Sequence, residues 1–211
     1  MHKYFIRTHW LVQKFFSNYI WRIPVSDNTV FLTFDDGPEP KATEWVLDLL
    51  KQHNIPATFF CVGENVVQHP DTYQRILAEG HAVGNHTYHH LNGWQVSTQD
   101  YLENVAAAAK YIQSNLFRPP YGRIRKEQVK GIPAAMQAPD AKIIMWEVLS
   151  CDFDTKVTPQ QTLKNVLKNV QAGSIIIFHD SEKAFPNLSY ALPVVLRRLK
   201  EKGFQFKKIE L

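Results

Sequence analysis

The 211-residue chain holds nine histidines, and His86, His89 and His90 fall within five positions. Paired carboxylates stand in Asp35-Asp36-Gly37-Pro38, and Arg118 opens the run Arg118-Pro119-Pro120-Tyr121. Asp152 and Asp154 flank Phe153, and His179 precedes Asp180. His86 and His90 are four residues apart, so on a helical turn both imidazoles face one way. Two such nitrogens with one carboxylate make the ligand set of an open catalytic metal site, which keeps positions for water and substrate. A second carboxylate beside the metal can take a proton from that water, and another histidine opposite can give one to a leaving group. Together these are the parts of metal-assisted hydrolysis. Each has a plainer reading when taken alone. Asp-Asp-Gly-Pro is a turn, an arginine before two prolines sits on an extended surface segment, and a histidine ending an apolar run makes one backbone hydrogen bond. Their combination is what points to chemistry.

Short apolar, β-rich runs alternate with segments of helical period and must position these groups. Strands are expected at residues 30–34, 57–62, 81–85, 116–119, 142–148, 174–179 and 204–209. Helical stripes between them are Trp45, Val46, Leu49 and Leu50, then Tyr73, Ile76 and Leu77, then Tyr101, Leu102, Val105, Ala109 and Ile112. Two more are Leu163, Val166, Leu167 and Val170, and Leu192, Val195, Leu196 and Leu199. Asp71 and Ser97 or Thr98 are expected N-caps, and Gly80 and Gly203 expected C-terminal stops. Residues 125–140 leave little room for a helix, because Gly131, Pro133 and Pro139 interrupt them.

Such alternation predicts a mainly parallel sheet with right-handed crossovers. Every polar cluster falls at or just past the C-terminal end of a predicted strand, the edge where barrels and doubly wound sheets place their ligands. No internal repeat, linker or composition shift divides the chain, so one domain over residues 1–211 is expected. Residues 1–24 are expected to add a packed helical extension, since Trp10, Leu11, Lys14, Phe15, Asn18 and Tyr19 have roughly helical spacing. A membrane-surface helix would need a stronger basic face than Arg7, Lys14 and Arg22 supply.

In order and type, the motifs from Thr33 to His179 resemble the polysaccharide deacetylases, the carbohydrate esterase family 4 group that includes chitin-oligomer and peptidoglycan N-deacetylases. Thr33-Phe34-Asp35-Asp36-Gly37-Pro38 and His86-Thr87-Tyr88-His89-His90 carry the resemblance most specifically. It implies an α/β fold, a distorted (β/α)7-type barrel with mainly parallel strands. It also implies that Asp35 is the general base, that Asp36, His86 and His90 are the metal ligands, and that His89 is a spectator. Arg118 would orient the base, and the Tyr121 backbone N–H would face the oxyanion. His179 would be the general acid, tuned by Asp152. The fourth motif departs from the family: Leu149 stands where an aspartate is common, and Phe153 where a tryptophan is. Trp94, Tyr121 and Phe153 are candidates to stack on sugar rings, whereas Trp146, inside an apolar run, is more simply core.

The activity implied is metal-dependent removal of N-acetyl groups from an N-acetylated sugar polymer or oligomer, with release of acetate. One divalent ion is implied, zinc or another transition metal such as cobalt, nickel, manganese or iron. Alternatives on the same site are an O-acetyl xylan esterase, a small-molecule amide hydrolase, or a glycan-binding module without catalysis.

Composition agrees with an ordinary globular protein, at 45% hydrophobic and 21% charged residues. The net charge of +4 is too small and too unclustered for a nucleic-acid binder. Two cysteines make no disulfide framework. Cys61, in an apolar run, and Cys151, in a loop, are expected to be structural thiols. No stretch approaches the ~20 apolar residues of a spanning helix. Residues 1–24 also lack the apolar core and cleavage site of a secretory signal. The compartment expected is therefore cytoplasmic by default, or extracytoplasmic if a signal has been removed.

Overall fold

A computed structural model of the chain describes residues 5–211. Among the described residues there are eight strands: β1 (Thr29–Asp35), β2 (Thr58–Cys61), β3 (Ala82–Asn85), β4 (Leu116–Phe117), β5 (Lys142–Ile143), β6 (Val148–Leu149), β7 (Ile175–His179) and β8 (Gln205–Lys207). The sheet runs β5-β4-β3-β2-β1-β7-β6, with β8 against the start of β1, and all its pairs are parallel. It curls into a half-barrel, the distorted (β/α)7 form.

Parity along each strand sorts the two faces. Val30, Leu32 and Phe34 of β1 point outward into the large cluster under the helices, with Ile176 and Phe178 of β7. Phe31 of β1 points inward with Phe60, Leu116, Ile144 and Ile175. Buried on both faces, β1 is shielded over its whole length, as a central parallel strand should be.

Helices α1 (Trp10–Phe15), α2 (Pro40–His53), α3 (Gly63–Gln68), α4 (Pro70–Ala78), α5 (Thr98–Ala109), α6 (Lys126–Ala135), α7 (Pro159–Asn169) and α8 (Phe185–Glu201) accompany the strands. The Glu39 carboxylate caps α2, accepting from the N–H groups of Lys41 and Ala42, and Pro40 fits the first turn. Ser97 and Thr158 cap α5 and α7. Asp71 lies inside the first turn of α4 instead of capping it, its charge favourable to the helix dipole there. Gly80 and Gly203 follow α4 and α8 with φ near +80°, the left-handed stop that glycine accepts without strain.

Three expectations from the sequence are corrected. Residues 125–140 do contain a helix, α6, with Gly131 and Pro133 inside it. Packing overrides propensity here: Ile132 and Met136 bury against Tyr101 and Val105 of α5, and a Cβ at Gly131 would strike Leu102. The strand expected at 142–148 is two strands, because the Ile144 and Met145 carbonyls turn from the ladder to the Arg118 side chain. The helical extension at 1–24 is helical only over α1, which has no buried residue; residues 1–4 lie outside the described part.

This segment is held by extended backbone instead. The Leu149 N–H donates to the Ile6 carbonyl, and the Thr8 N–H to the Glu147 carbonyl, along the free edge of β6. Ile20 exchanges hydrogen bonds with Ile143 and Met145 at the opposite free edge. Residues 6–20 thus bridge the two edges that the half-barrel leaves open, satisfying backbone groups that a sheet edge would expose. Among the described residues no helix is long and apolar enough to cross a membrane.

Glu147 anchors the bridge. It is 1% exposed and accepts from Arg7, Gln171 and Ser174. Glu147→Ala is expected to cost about 2–4 kcal/mol, because it leaves the buried Ser174 hydroxyl and the half-buried Gln171 amide unpaired and empties a buried site. Arg7→Ala should cost about 1 kcal/mol or less, as befits a half-exposed partner. Chemical denaturation measures both; equal costs would refute this division.

Candidate active site

Strand parity delivers the reactive groups to one place. On β1, Thr33 and Asp35 share the inward face with Phe31. Inward Leu116 sets the direction of Arg118 two residues on, and inward Ile175 and Ile177 set that of His179. Asn85 points outward, its amide donating to the Val105 carbonyl of α5, so the next residue, His86, turns inward.

Arg118 is fully buried, and each of its three side-chain nitrogens has an acceptor. Nη1 donates to Asp35 Oδ1 at 2.6 Å and to Thr33 Oγ1 at 2.8 Å. Nε and Nη2 donate to the Ile144 and Met145 carbonyls at 3.1 and 3.0 Å. Its guanidinium lies over the Phe60 ring, 3.9 Å from the centroid. With Asp35 Oδ1 engaged, Oδ2 lies 3.7 Å from His86 Nε2.

Asp36, His86 and His90 offer ligand atoms that all lie within 4.8 Å of one another. His86 Nδ1 donates to the Arg118 carbonyl at 2.7 Å, which fixes the tautomer and leaves Nε2 as a lone-pair donor. Burial lowers the His86 pKa to about 4, so the ring is neutral at working pH. Burial opposes ionisation of Asp36 as well. The His90 hydrogen bond and the neighbouring imidazoles outweigh it and hold that carboxyl below the usual range. Two imidazoles and an ionised carboxylate fit a first-row divalent cation by their chemistry.

The two histidines do not converge on a helical turn, as their spacing suggested. Residues 86–90 form a bent loop in which Thr87 and His90 have φ of 64° and 54°. Asn85 Oδ1 accepts from the Thr87 N–H, and Asn104 Oδ1 accepts from the N–H groups of Tyr88 and His89. Sequence reasoning missed both asparagines. The available signal was that an asparagine inside an apolar strand or helix needs a partner.

Asp152 is fully buried and accepts at 2.8 Å from both Nδ1 and the backbone N–H of His179. Burial works against the imidazolium, but Asp152 prevails, with help from Asp36 and Asp35, and raises the His179 pKa to about 9. Phe153 places its ring edge-on to His179, with centroids 4.9 Å apart. Cys151 is buried, and burial pushes its thiol up to about 12, so it is no nucleophile. Cys61 is likewise buried, its thiol pushed up by burial.

These groups face a cleft of about 830 Å3. Trp146, Leu149, Phe153 and Ile177 give it an apolar side, and Asn92, Gln95, Tyr121 and Arg123 a polar one. Leu149 therefore supplies wall, not charge, where the fourth motif departs. Tyr121 has φ of 61°, and its N–H has no acceptor among the described residues. Trp94 does not line the cleft; it stands outside, 56% exposed, beneath the Arg123 guanidinium. Trp146 is only half-buried and lines the cleft besides packing on the core.

Fold and site define a metal-assisted hydrolase of the half-barrel type, and the comparisons give its family. The chain belongs to the polysaccharide deacetylase family, whose model matches residues 22–135. A peptidoglycan-N-acetylglucosamine deacetylase of Bacillus cereus is 36% identical over 195 residues, covering 89% of this chain and 69% of that protein. Another from Listeria monocytogenes is 35% identical over 193 residues, 88% of this chain, and the chain spans only 39% of its length. A crystal structure of a peptidoglycan N-acetylglucosamine deacetylase superposes with a TM-score of 0.83 at 34% identity, covering 91% of both chains. Family membership implies a divalent cation, and Asp36, His86 and His90 are the residues that could hold it.

Asp180 shapes this loop from behind. Buried, with its pKa raised by that burial, it accepts from Thr43 Oγ1 at 2.6 Å and from the Gly37 N–H at 3.1 Å. A Cβ at Gly37 would run into its carboxylate. Gly37→Ala is therefore expected to weaken divalent-cation binding, probed with Zn2+, about 10- to 100-fold by displacing Asp36. Calorimetric titration of a variant shown by circular dichroism to be folded checks this, and parental affinity would refute it.

Proposed function

We propose that this chain is a divalent-metal-dependent N-deacetylase of N-acetylglucosamine-containing glycans, of the peptidoglycan or chitin-oligomer type. The observation that carries the reading is the convergence of Asp35, Asp36, His86, His90 and His179 on one cleft. A non-catalytic glycan-binding module would be marked by loss of the base, the acid or a ligand, and none is missing.

Asp36, His86 and His90 would hold the cation, with zinc the first candidate because imidazole suits it. When bound, the cation supplies Lewis acidity toward a water and an acetyl carbonyl. Asp35 accepts the proton of the attacking water through Oδ2, its other oxygen being held by Arg118. The Tyr121 N–H donates to the oxyanion that develops as the carbonyl carbon becomes tetrahedral; one such donor is typically worth ~3–4 kcal/mol. His179, charged and carrying its proton on Nε2, donates it to the departing amine, and the products are acetate and a free amino sugar. Asp152 keeps the ring oriented by holding Nδ1. The apolar wall of Leu149, Phe153 and Trp146 keeps water from competing for these protons.

Asp35→Asn and His179→Ala are each expected to lower kcat/KM on N-acetylglucosamine oligomers by about 10²–10⁴-fold, with metal content unchanged. Chelation should abolish acetate release, and added Zn2+ or Co2+ should restore it. Parental turnover by either variant would remove that residue from its role. Glycan affinity without acetate under every metal would instead favour the binding module.

The acid must be protonated, so activity is expected to fall as pH rises through the His179 pKa, about 9 in the bare site. A cation at Asp36 cancels part of that carboxylate's pull and moves this limb toward the ordinary 6.5. Asp152→Asn removes the main cause of the elevation, so the alkaline limb should shift to lower pH by about one unit or more. A pH profile of kcat/KM checks this, and an unmoved limb would show that His179 is not the acid.

A further inference from the structure

Helix α1 is turned inside out relative to an ordinary surface helix. Its outward face is Trp10, Leu11, Lys14 and Phe15, one stripe at i, i+1, i+4 and i+5. Trp10 is 62% exposed, Leu11 41% and Phe15 81%, while Val12 and Gln13 lie toward the protein. Phe16 at 52% and Phe5 at 79% extend the apolar surface. Scattered exposed apolar residues are normal, but five within twelve positions of one segment are not.

The surroundings hold this patch in place. Residues 6–8 and 20 are bonded to the two sheet edges, so α1 is fixed at both ends. The Trp21 indole N–H donates to the Phe16 carbonyl, and Tyr19 stacks on Phe16 with centroids 5.8 Å apart. An exposed apolar surface that is built rigid costs solubility and needs a partner to offset it.

Charge says which partner. The first acidic residue of the chain is Asp27, and Lys3, Arg7, Lys14 and Arg22 precede it. These four account for the entire net charge of +4, and the remaining residues carry equal numbers of each sign. Arg7 is committed to Glu147, but among the described residues Lys14 has no acidic partner, and the Arg22 side chain donates to a neutral carbonyl, that of Ala172. We infer that α1 and its flanks form an interfacial docking surface for an anionic lipid bilayer: Trp10, Leu11, Phe15 and Phe16 enter the headgroup boundary while Lys14 and Arg22 meet lipid phosphates. Tryptophan at this depth and lysine reaching back to the headgroups are the usual interfacial arrangement. Leucine gains from acyl chains and offers no ring face for a sugar to stack on. The apolar contact compensates for a basic face too weak to bind alone. Ile6, beside Phe5, packs against Leu149 of the cleft wall, so docking here would hold the cleft near the membrane surface.

The test is sedimentation of the full chain with vesicles of phosphatidylglycerol and phosphatidylcholine, and with phosphatidylcholine alone. Binding is expected to the anionic vesicles, weaker in high salt, with a blue shift of tryptophan emission. The variant Trp10→Ser/Phe15→Ser/Phe16→Ser should lose at least about tenfold in partitioning. Lys14→Glu/Arg22→Glu should lose its preference for anionic vesicles. Neither variant touches the cleft, so acetate release from soluble oligomers should stay at the parental rate, and this separates failure here from failure of the deacetylase reading. No vesicle binding, or binding that the variants leave unchanged, overturns the inference. So does light scattering that shows a parent dimer made monomeric by the serine variant, or patch-dependent binding to insoluble peptidoglycan without vesicle binding.

Discussion

The buried ion pair between Arg118 and Asp35 governs how this half-barrel is assembled. A guanidinium taken wholly out of water is tolerable only if its charge is paired and its nitrogens find acceptors. One carboxylate, one hydroxyl and two carbonyls give each of the three nitrogens a partner, and they come from β1 and from the chain between β5 and β6. The consequence for the fold is that the sheet must break after Ile143, so that two carbonyls can leave the ladder. The consequence for the site is that Asp35 has one oxygen fixed and one left toward His86. The Arg118 carbonyl is used too, accepting from His86. A single residue therefore sets the orientation of Asp35, the tautomer of His86 and the shape of the barrel seam.

Around that pair the loops carry strain. Asp36, Thr87, His90, Tyr121 and Cys151 all have positive φ, and all lie at the C-terminal edge of the sheet. Such conformations cost about 1–3 kcal/mol each and persist only where the surroundings over-determine them. The surroundings here are buried polar groups: Asp180 with Thr43 behind Gly37, Asn85 and Asn104 behind the histidine loop, and Ser150 with Asn187 about Asp152. Ligands are placed by this rigid backing and not by flexible side chains, which suits a site whose donors must already stand together when a cation arrives.

The same features decide what was legible in the sequence. Residue types at the ends of β1, β4 and β7 were legible because chemistry fixes them and strand ends announce themselves by a change from apolar to polar. Central strands and the helices α2, α5, α7 and α8 were legible by period. Loop geometry was not, since left-handed aspartate, threonine and histidine leave no compositional trace, and the His86–His90 spacing suggested a helical turn that the chain does not make. Helix α6 was hidden because Gly131 and Pro133 argue against a helix locally, while the close approach to Leu102 that requires a small residue is a tertiary fact. The break within 142–148 was invisible for a similar reason: its cause is a side chain from another strand. Trp94 looked like a sugar platform by type and lies outside the cleft, whereas Trp146 looked like core and lines it.

Two histidines in one cleft end in opposite charge states, and the reason lies in a single contact. Burial is the largest influence on both, and on both it disfavours the imidazolium. At His86 nothing reverses it: Nδ1 is spent on a neutral carbonyl, the carboxylates lie 3.7 Å away, and His90 adds opposing charge, so the ring stays neutral and can ligate. At His179 a fully buried carboxylate sits at 2.8 Å and also binds the backbone N–H, so the ring cannot rotate away from it. In a dry setting that attraction exceeds the desolvation that would otherwise win. The Phe153 ring, edge-on to His179, adds to that dryness, and a lower local dielectric tightens a paired imidazolium. The departure in the fourth motif thus leaves this contrast in place: Asp152, which it retains, is the main cause that raises His179, and His86 has no such partner.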